Sequence, residues 1–308
     1  MARFRTALCA AALGWPLVLA PIGAVAAPAE AAVADLRTFA AAADAEVERL
    51  GRRIWLNEAA GRRDRLVHWL PGENHLSLGI GHVIWYPAGA RGRFHESFPD
   101  LLAFLRQRGV RLPAWLTPRD ACPWPTRAEF LAAAADPRLN ELRDLLAATV
   151  ADQVAFLIER LARALPAILA AAPEEAVRAR LANRLRGILY AADGRIAPEG
   201  VYALVDYVNF KGEGTLPAER YQGEGWGLLQ VLEAMADRPE ADLAAFADAA
   251  AAVLTRRVAL APAERREARW LGGWLKRVAT YAEDRRFEAE AAAGSPAHHD
   301  PPAQKEAS

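Results

Sequence analysis

The fold is decided by one stretch: Leu66-Val67-His68-Trp69-Leu70-Pro71-Gly72-Glu73-Asn74-His75-Leu76-Ser77-Leu78-Gly79-Ile80-Gly81-His82-Val83-Ile84-Trp85-Tyr86. Two extended apolar runs flank a Pro-Gly-Glu-Asn turn signal, which reads as a β-hairpin or small antiparallel sheet. The two glycines mark a bend or a close backbone approach. Immediately before it, Val47, Leu50, Ile54 and Glu58 recur at helical spacing, so a helix is expected from about 44 to 60, with Gly61 placed to stop it.

Beyond Pro87 nearly everything reads as helix. Ser97 to Asp100 has the form of a capping box opening a helix to about Arg108, and Thr126 to Glu129 caps another to Ala135. Helices are expected near 138–165 and 174–191 with Pro166 and Pro173 as breaks. Another runs from Pro198 into Asn209, halted by Gly212 and Gly214. Others fall near 224–237, 240–258 and 262–288. No repeat of solenoid period is present. The expected class is α+β, predominantly α-helical, with one small antiparallel sheet near the N-terminus.

The ends read differently. Arg3 and Arg5 precede an uncharged run from Leu8 to Ala26 that closes on the small-x-small pattern Ala24-Val25-Ala26. Residues 1–26 are read as a secretory signal peptide, giving a periplasmic or secreted protein with no membrane association after cleavage. Residues 292–308 lack an apolar period and are expected to be a disordered tail. The 308-residue chain carries 38 basic and 38 acidic residues, and loss of Arg3 and Arg5 leaves a mature charge of −2. That balance argues against a nucleic-acid partner. Two cysteines, Cys9 and Cys122, exclude a disulfide-dense scaffold.

Glu58 continues the apolar face of its helix, so its carboxyl points toward the protein. Desolvation and a helix C-terminus both favour the protonated form of such a group, which is what a general acid requires. Glu73, in a polar turn beside Asn74, should stay ionised. Two carboxyls in contrasting surroundings meet the chemical requirement for cleaving a glycosidic bond. On spacing alone, a salt-bridged helix-end Glu58 and a solvated turn Glu73 remain open. His75, His82 and His95-Glu96 fit no metal-ligand spacing, and no metal or other cofactor is called for. Tyr221-Gln-Gly-Glu-Gly-Trp-Gly227 follows no predicted strand and reads as a loop over the cleft rather than a dinucleotide site.

The succession of helix-end Glu58, hairpin and Ser77-Leu-Gly-Ile-Gly-His82 resembles the active-site region of phage-type lysozymes (endolysins) in the lysozyme-like superfamily. In that family a Glu ends the first helix, and an Asp and a Thr follow on the hairpin just before Gly-Ile-Gly-His. The resemblance implies that Glu58 is the general acid, that Ser77 takes the water-holding position and that Glu73 is the nearest candidate for the second carboxylate. Ala203 to Gly214 resembles the family's helix ending in an Asn-x-Gly-x-Gly element. Arg256-Arg257, Glu264 to Glu267 and Trp270 resemble its Arg-rich C-terminal segment.

The chain departs from the pattern in several places. Glu58 and Glu73 lie fifteen residues apart, Glu and Ser replace Asp and Thr, and Asn209 is displaced by one position. Residues 110–195 have no counterpart and read as a possible helical insertion in a catalytic domain spanning 27–291. The expected function is a muramidase-like glycoside hydrolase acting on peptidoglycan or a related amino-sugar polymer, with inversion. A chitosanase-like enzyme and a non-catalytic glycan- or partner-binding envelope protein are the alternatives. Glu58, Glu73 and Ser77 are expected to line one cleft with Asn209 or Tyr207 opposite. His82, Tyr207, Asn209, Tyr221 and Gln222 are the expected substrate contacts.

Overall fold

The computed structural model describes residues 26–42, 45–92, 95–236 and 242–282. The expected leader, apart from its last residue, and the expected tail lie outside them. The described chain is predominantly helical with a small antiparallel sheet. The Ala-rich lead-in forms α1 (Ala26–Ala42), and the periodic segment ending in Glu58 forms α2 (Ala45–Ala59). Ala60 and Gly61, both at positive φ, end it.

The decisive stretch folds into a three-stranded meander of β1 (Val67–His68), β2 (Leu76–Leu78) and β3 (Val83–Trp85), with His68 opposite Ser77 and Ser77 opposite Ile84. Leu76, Leu78 and Trp85 are sealed in the core. The alternating positions His68, Ser77 and Ile84 therefore share the other face.

Next come α3 (Phe98–Gln107), α4 (Arg127–Ala132), α5 (Pro137–Ala148) and α6 (Val150–Ala170). The last of these is the spine of the molecule. Buried residues lie all around it, from Val154 to Leu169, and it packs against α1, α2 and α3. A helix apolar on nearly every face belongs inside. Residues 110–195, read as a possible helical insertion, supply this central helix. Pro166 does not end it. The ring sits at an exposed position inside α6, and the helical break falls at Thr149. Ser97 does not make the expected cap either, because its Oγ accepts the Ile84 N–H at 3.2 Å and ties β3 to α3. Thr126 does cap α4, accepting from Glu129 N–H.

The remainder comprises α7 (Glu175–Leu189), α8 (Pro198–Lys211), a hairpin of β4 (Arg220–Tyr221) and β5 (Glu224–Gly225), α9 (Leu228–Ala234), α10 (Leu243–Leu260) and α11 (Ala268–Ala279). The run 221–227, read as a loop, is thus largely a two-stranded hairpin. Gln222 and Gly223 both take positive φ in its turn, the geometry that suits right-twisted strands. A single hydrophobic cluster extends from Ala32 to Tyr281. Among the described residues, no helix is long and apolar enough to cross a membrane.

The Gly-Ile-Gly-His loop is pinned to α6 by one amide. Gln153, 2% exposed, accepts Ile80 N–H at 3.0 Å and donates to Leu146 O at 2.6 Å and Thr149 Oγ at 3.2 Å. Gly79 takes φ +68° directly over that amide, where a Cβ would collide with Gln153 Oε1. Gln153→Met should lower unfolding stability by about 2–4 kcal/mol, since it orphans a buried N–H and a buried carbonyl; urea denaturation measures the loss.

Candidate active site

His82 leaves the pinned loop at φ +45°, a left-handed conformation uncommon for residues other than glycine. The turn aims its imidazole at the end of α2, where Nδ1 lies 3.3 Å from Glu58 Oε2. Glu58 is 8% exposed at the side chain and is held from its other oxygen by the Arg277 guanidinium. The expected inward carboxyl is therefore observed, but it is bracketed by a cation and an imidazole rather than isolated.

Arg277 reaches back from α11 and is itself held. Its Nε and Nη2 donate to Asp206 Oδ2 and Oδ1 at 2.9 and 2.8 Å, and Asp206 is fully buried on α8. Tyr281 Oη donates to the same carboxylate at 2.6 Å. Burial works against the guanidinium charge, yet Asp206 and then Glu58 outweigh it, so Arg277 titrates well above its ordinary range. Burial and the Asp206 charge push the Tyr281 hydroxyl up in turn. Tyr202 accepts from Asn57 Nδ2 at 2.6 Å and lies 4.0 Å beneath the Arg53 guanidinium, completing the contact of α2 with α8.

His68 stands edge-on to His82 with ring centroids 4.7 Å apart. Burial lowers the pKa of both imidazoles; for His68 the His82 ring adds to it, and Glu73 and Glu58 oppose it. Both rings are accordingly neutral at neutral pH, and His82 Nε2 is buried with no hydrogen-bond partner among the described residues. Ser77, 6% exposed, shares the sheet face of His68. Glu73 sits closer to the surface, its side chain 32% exposed, with Oε2 3.3 Å from His75 Nε2. Trp69 Nε1 donates to Glu73 O at 2.8 Å and fixes the turn. Glu58, His82 and His68 are thus gathered, with Ser77 on the sheet face beside them and Glu73 on the turn that joins β1 to β2.

The other expected contacts are placed elsewhere. Tyr207 is a core residue with no exposed surface, and its hydroxyl donates to Trp226 O at 2.8 Å; it corrects the expectation of a cleft-facing phenol. Asn209 is half-buried on the last turn of α8. Tyr221 donates to Glu267 Oε1 at 2.9 Å, and the exposed Gln222 donates to Leu260 O at 3.2 Å, so both polar handles are engaged by the protein itself. Among the described residues, no cluster of three or more His, Cys, Asp or Glu is placed to hold a metal ion. Cys122 is a buried thiol, pushed up to about 12 by that burial.

Several residues near the site were not singled out from the sequence. Nothing in the local pattern joins Asp206 to Arg277, two positions 71 residues apart. Lys211 is the other. It is 8% exposed, with Nζ 3.2 Å from the Trp274 ring centroid and 3.9 Å from that of Phe210. Arg257 nearby spends its guanidinium on the buried Glu267, at 2.8 and 2.9 Å. Comparison of the chain with known protein families, with curated proteins and with solved structures finds no match.

Burial, reinforced by Arg257 and opposed by Glu267, lowers Lys211 from its ordinary 10.5 to about 6. Between those values the unfolded chain binds a proton that the folded one does not, so stability falls as pH falls through that window. Lys211→Met should therefore raise the melting temperature at pH 7, with the gain largest near pH 6 and vanishing toward pH 10.5; thermal melts across that range check it. Asp206→Ala should cost about 3–5 kcal/mol, because it leaves a buried guanidinium without its main partner. Chemical denaturation reads that loss.

Proposed function

We propose that this protein is an exported glycoside hydrolase of lysozyme-like type, acting on peptidoglycan or a related amino-sugar polymer, with Glu58 as general acid. The observation that carries this reading is the division of labour on Glu58. Oε1 is held by Arg277, whereas Oε2 meets only an imidazole at 3.3 Å. Because Asp206 already balances Arg277, a proton on Glu58 leaves no unpaired cation behind.

In the proposed reaction Glu58 Oε2–H gives its proton to the glycosidic oxygen as the C–O bond breaks. Water attacks the anomeric carbon from the opposite face and passes its proton to the second carboxylate, for which Glu73 is the candidate, with Ser77 orienting the water. Such a route inverts configuration and needs a carboxyl separation of about 6.5–9.5 Å. His82, held by its strained turn, keeps Glu58 Oε2 from rotating away.

One observation favours a second reading, a non-catalytic protein that binds glycan or an envelope partner: both oxygens of Glu58 already have protein partners. The two readings separate on incubation of the purified protein with peptidoglycan followed by mass analysis of the products. Glu58→Gln should slow cleavage by about 10²–10⁴-fold with an unchanged melting temperature. A folded Glu58→Gln protein that cleaves like the parent would remove Glu58 from the chemistry, and a parent that releases no fragments supports the binding reading.

A further inference from the structure

The solvent side of α11 carries a pair of indoles that the proposed chemistry does not use. Trp270, Gly273, Trp274 and Arg277 fall at helical spacing on one stripe. Trp270 is 44% exposed, its ring stacked at 28° on Trp274 with centroids 6.1 Å apart. From Trp274 the contacts run on to Phe210 at 6.2 Å, and the Arg277 guanidinium lies 4.2 Å from the Phe210 centroid. Arg277 holds Glu58. An aromatic path therefore leads along about 10 Å of helix from open surface to the candidate acid.

Two features of this path point to a ligand. A Cβ on Gly273, or on Gly272, would meet nothing within 4 Å, so close packing does not require either glycine, and a glycine inside a helix costs stability. Gly273 leaves the helix surface bare on the stripe that carries both indoles. The second feature is Lys211. More than nine-tenths buried, it makes no hydrogen bond or ion pair with any described residue, and its amine rests on the Trp274 ring. The amine is not sealed off, since among the described residues the fully buried side-chain polar atoms lacking a partner are Glu73 Oε2, His82 Nε2 and Arg143 Nε. A donor kept in an apolar wall without an acceptor is suited to an acceptor brought by a ligand.

We propose that Trp270, Gly273 and Trp274 form a saccharide subsite leading to Glu58, and that Lys211 donates there to an oxygen of an N-acylated amino sugar. The proposal rests on the glycan reading above and gives it a substrate preference. Apolar sugar faces pack on indole rings, and the bare helix surface at Gly273 leaves room beside them. The acyl group is what the Lys211 amine selects. Arg257 lies 5.1 Å from the Trp274 centroid and Arg269 4.3 Å from that of Trp270, with Arg277 beyond. Arg257 and Arg277 are taken by Glu267, Asp206 and Glu58, so Lys211 is the donor without an acceptor; a glucosamine ammonium offers it only another donor, whereas an acetamido group brings a neutral carbonyl acceptor.

The test uses the full chain carrying Glu58→Gln, which allows binding without turnover, titrated calorimetrically with the tetramer of N-acetylglucosamine and with its deacetylated counterpart. The acetylated tetramer should bind and the deacetylated one should bind at least about tenfold more weakly. Trp270→Ala and Lys211→Met, each added to that background, should weaken binding of the acetylated tetramer by about tenfold. Lys211→Met should do so while raising the melting temperature, which separates lost binding from lost folding. Unchanged affinity in both variants would overturn the subsite and leave the glycan reading standing. A Glu58→Gln protein that binds no acetylated tetramer also overturns the subsite, and if the parent cleaves no peptidoglycan either, the hydrolase reading falls with it.

Discussion

A carboxylate with no exposed surface needs a partner, and the partner of Asp206 is Arg277. Two charges taken out of water cost several kcal/mol each, and their attraction repays that only when geometry and hydrogen bonding are complete. Here they are complete. The guanidinium meets both Asp206 oxygens, Tyr281 adds a third donor, and the remaining reach of Arg277 is taken up by Glu58. The pair joins α11 to α8, and through Glu58 it joins both to the end of α2. The hold on Glu58 Oε1 follows from that junction.

The other wall of the site depends on α6. Its Gln153 amide substitutes for a strand partner by taking the Ile80 N–H, which fixes the loop that carries His82. Because α2 also packs on α6, Glu58 and His82 are referred to one common support. Their 3.3 Å contact is a property of the frame rather than of two independent loops. Rigid elements hold functional groups more closely than loops do, and the left-handed residue at 82 is the strain that this arrangement carries.

Much of the frame was legible in the sequence, and the reasons for success and failure are physical. The period of Val47, Leu50, Ile54 and Glu58 located α2 and the inward carboxyl, because a helical face is a local property. The turn at 71–74 and the alternation around it located the meander. Pro166 misled because the cost of a proline depends on whether its face is solvated, which tertiary packing decides. Tyr207 misled because periodicity shows that a side chain faces inward without showing whether a cleft or a core lies there. Arg277 was invisible for a different reason: its partners are 71 and 219 residues away, and charge carries no address along the chain. Lys211 lies in the Asn-Phe-Lys-Gly stretch, which drew attention for its glycines, while the desolvation that distinguishes the amine is a property of the folded wall.

The junction of Glu58 with Arg277 has a temporal consequence. It closes a loop of 219 residues, and contacts of such separation form late because the chain must surrender the entropy of everything between them. The first helices, the meander and α6 can all pack before α11 arrives, but until it docks Glu58 has no cation and Asp206 is an unpaired charge under the surface. A chain caught before that step would hold a nearly whole core and an unfinished site. Completion of the site is thus coupled to completion of the fold, so the candidate acid takes up its working arrangement only in a molecule that has finished folding.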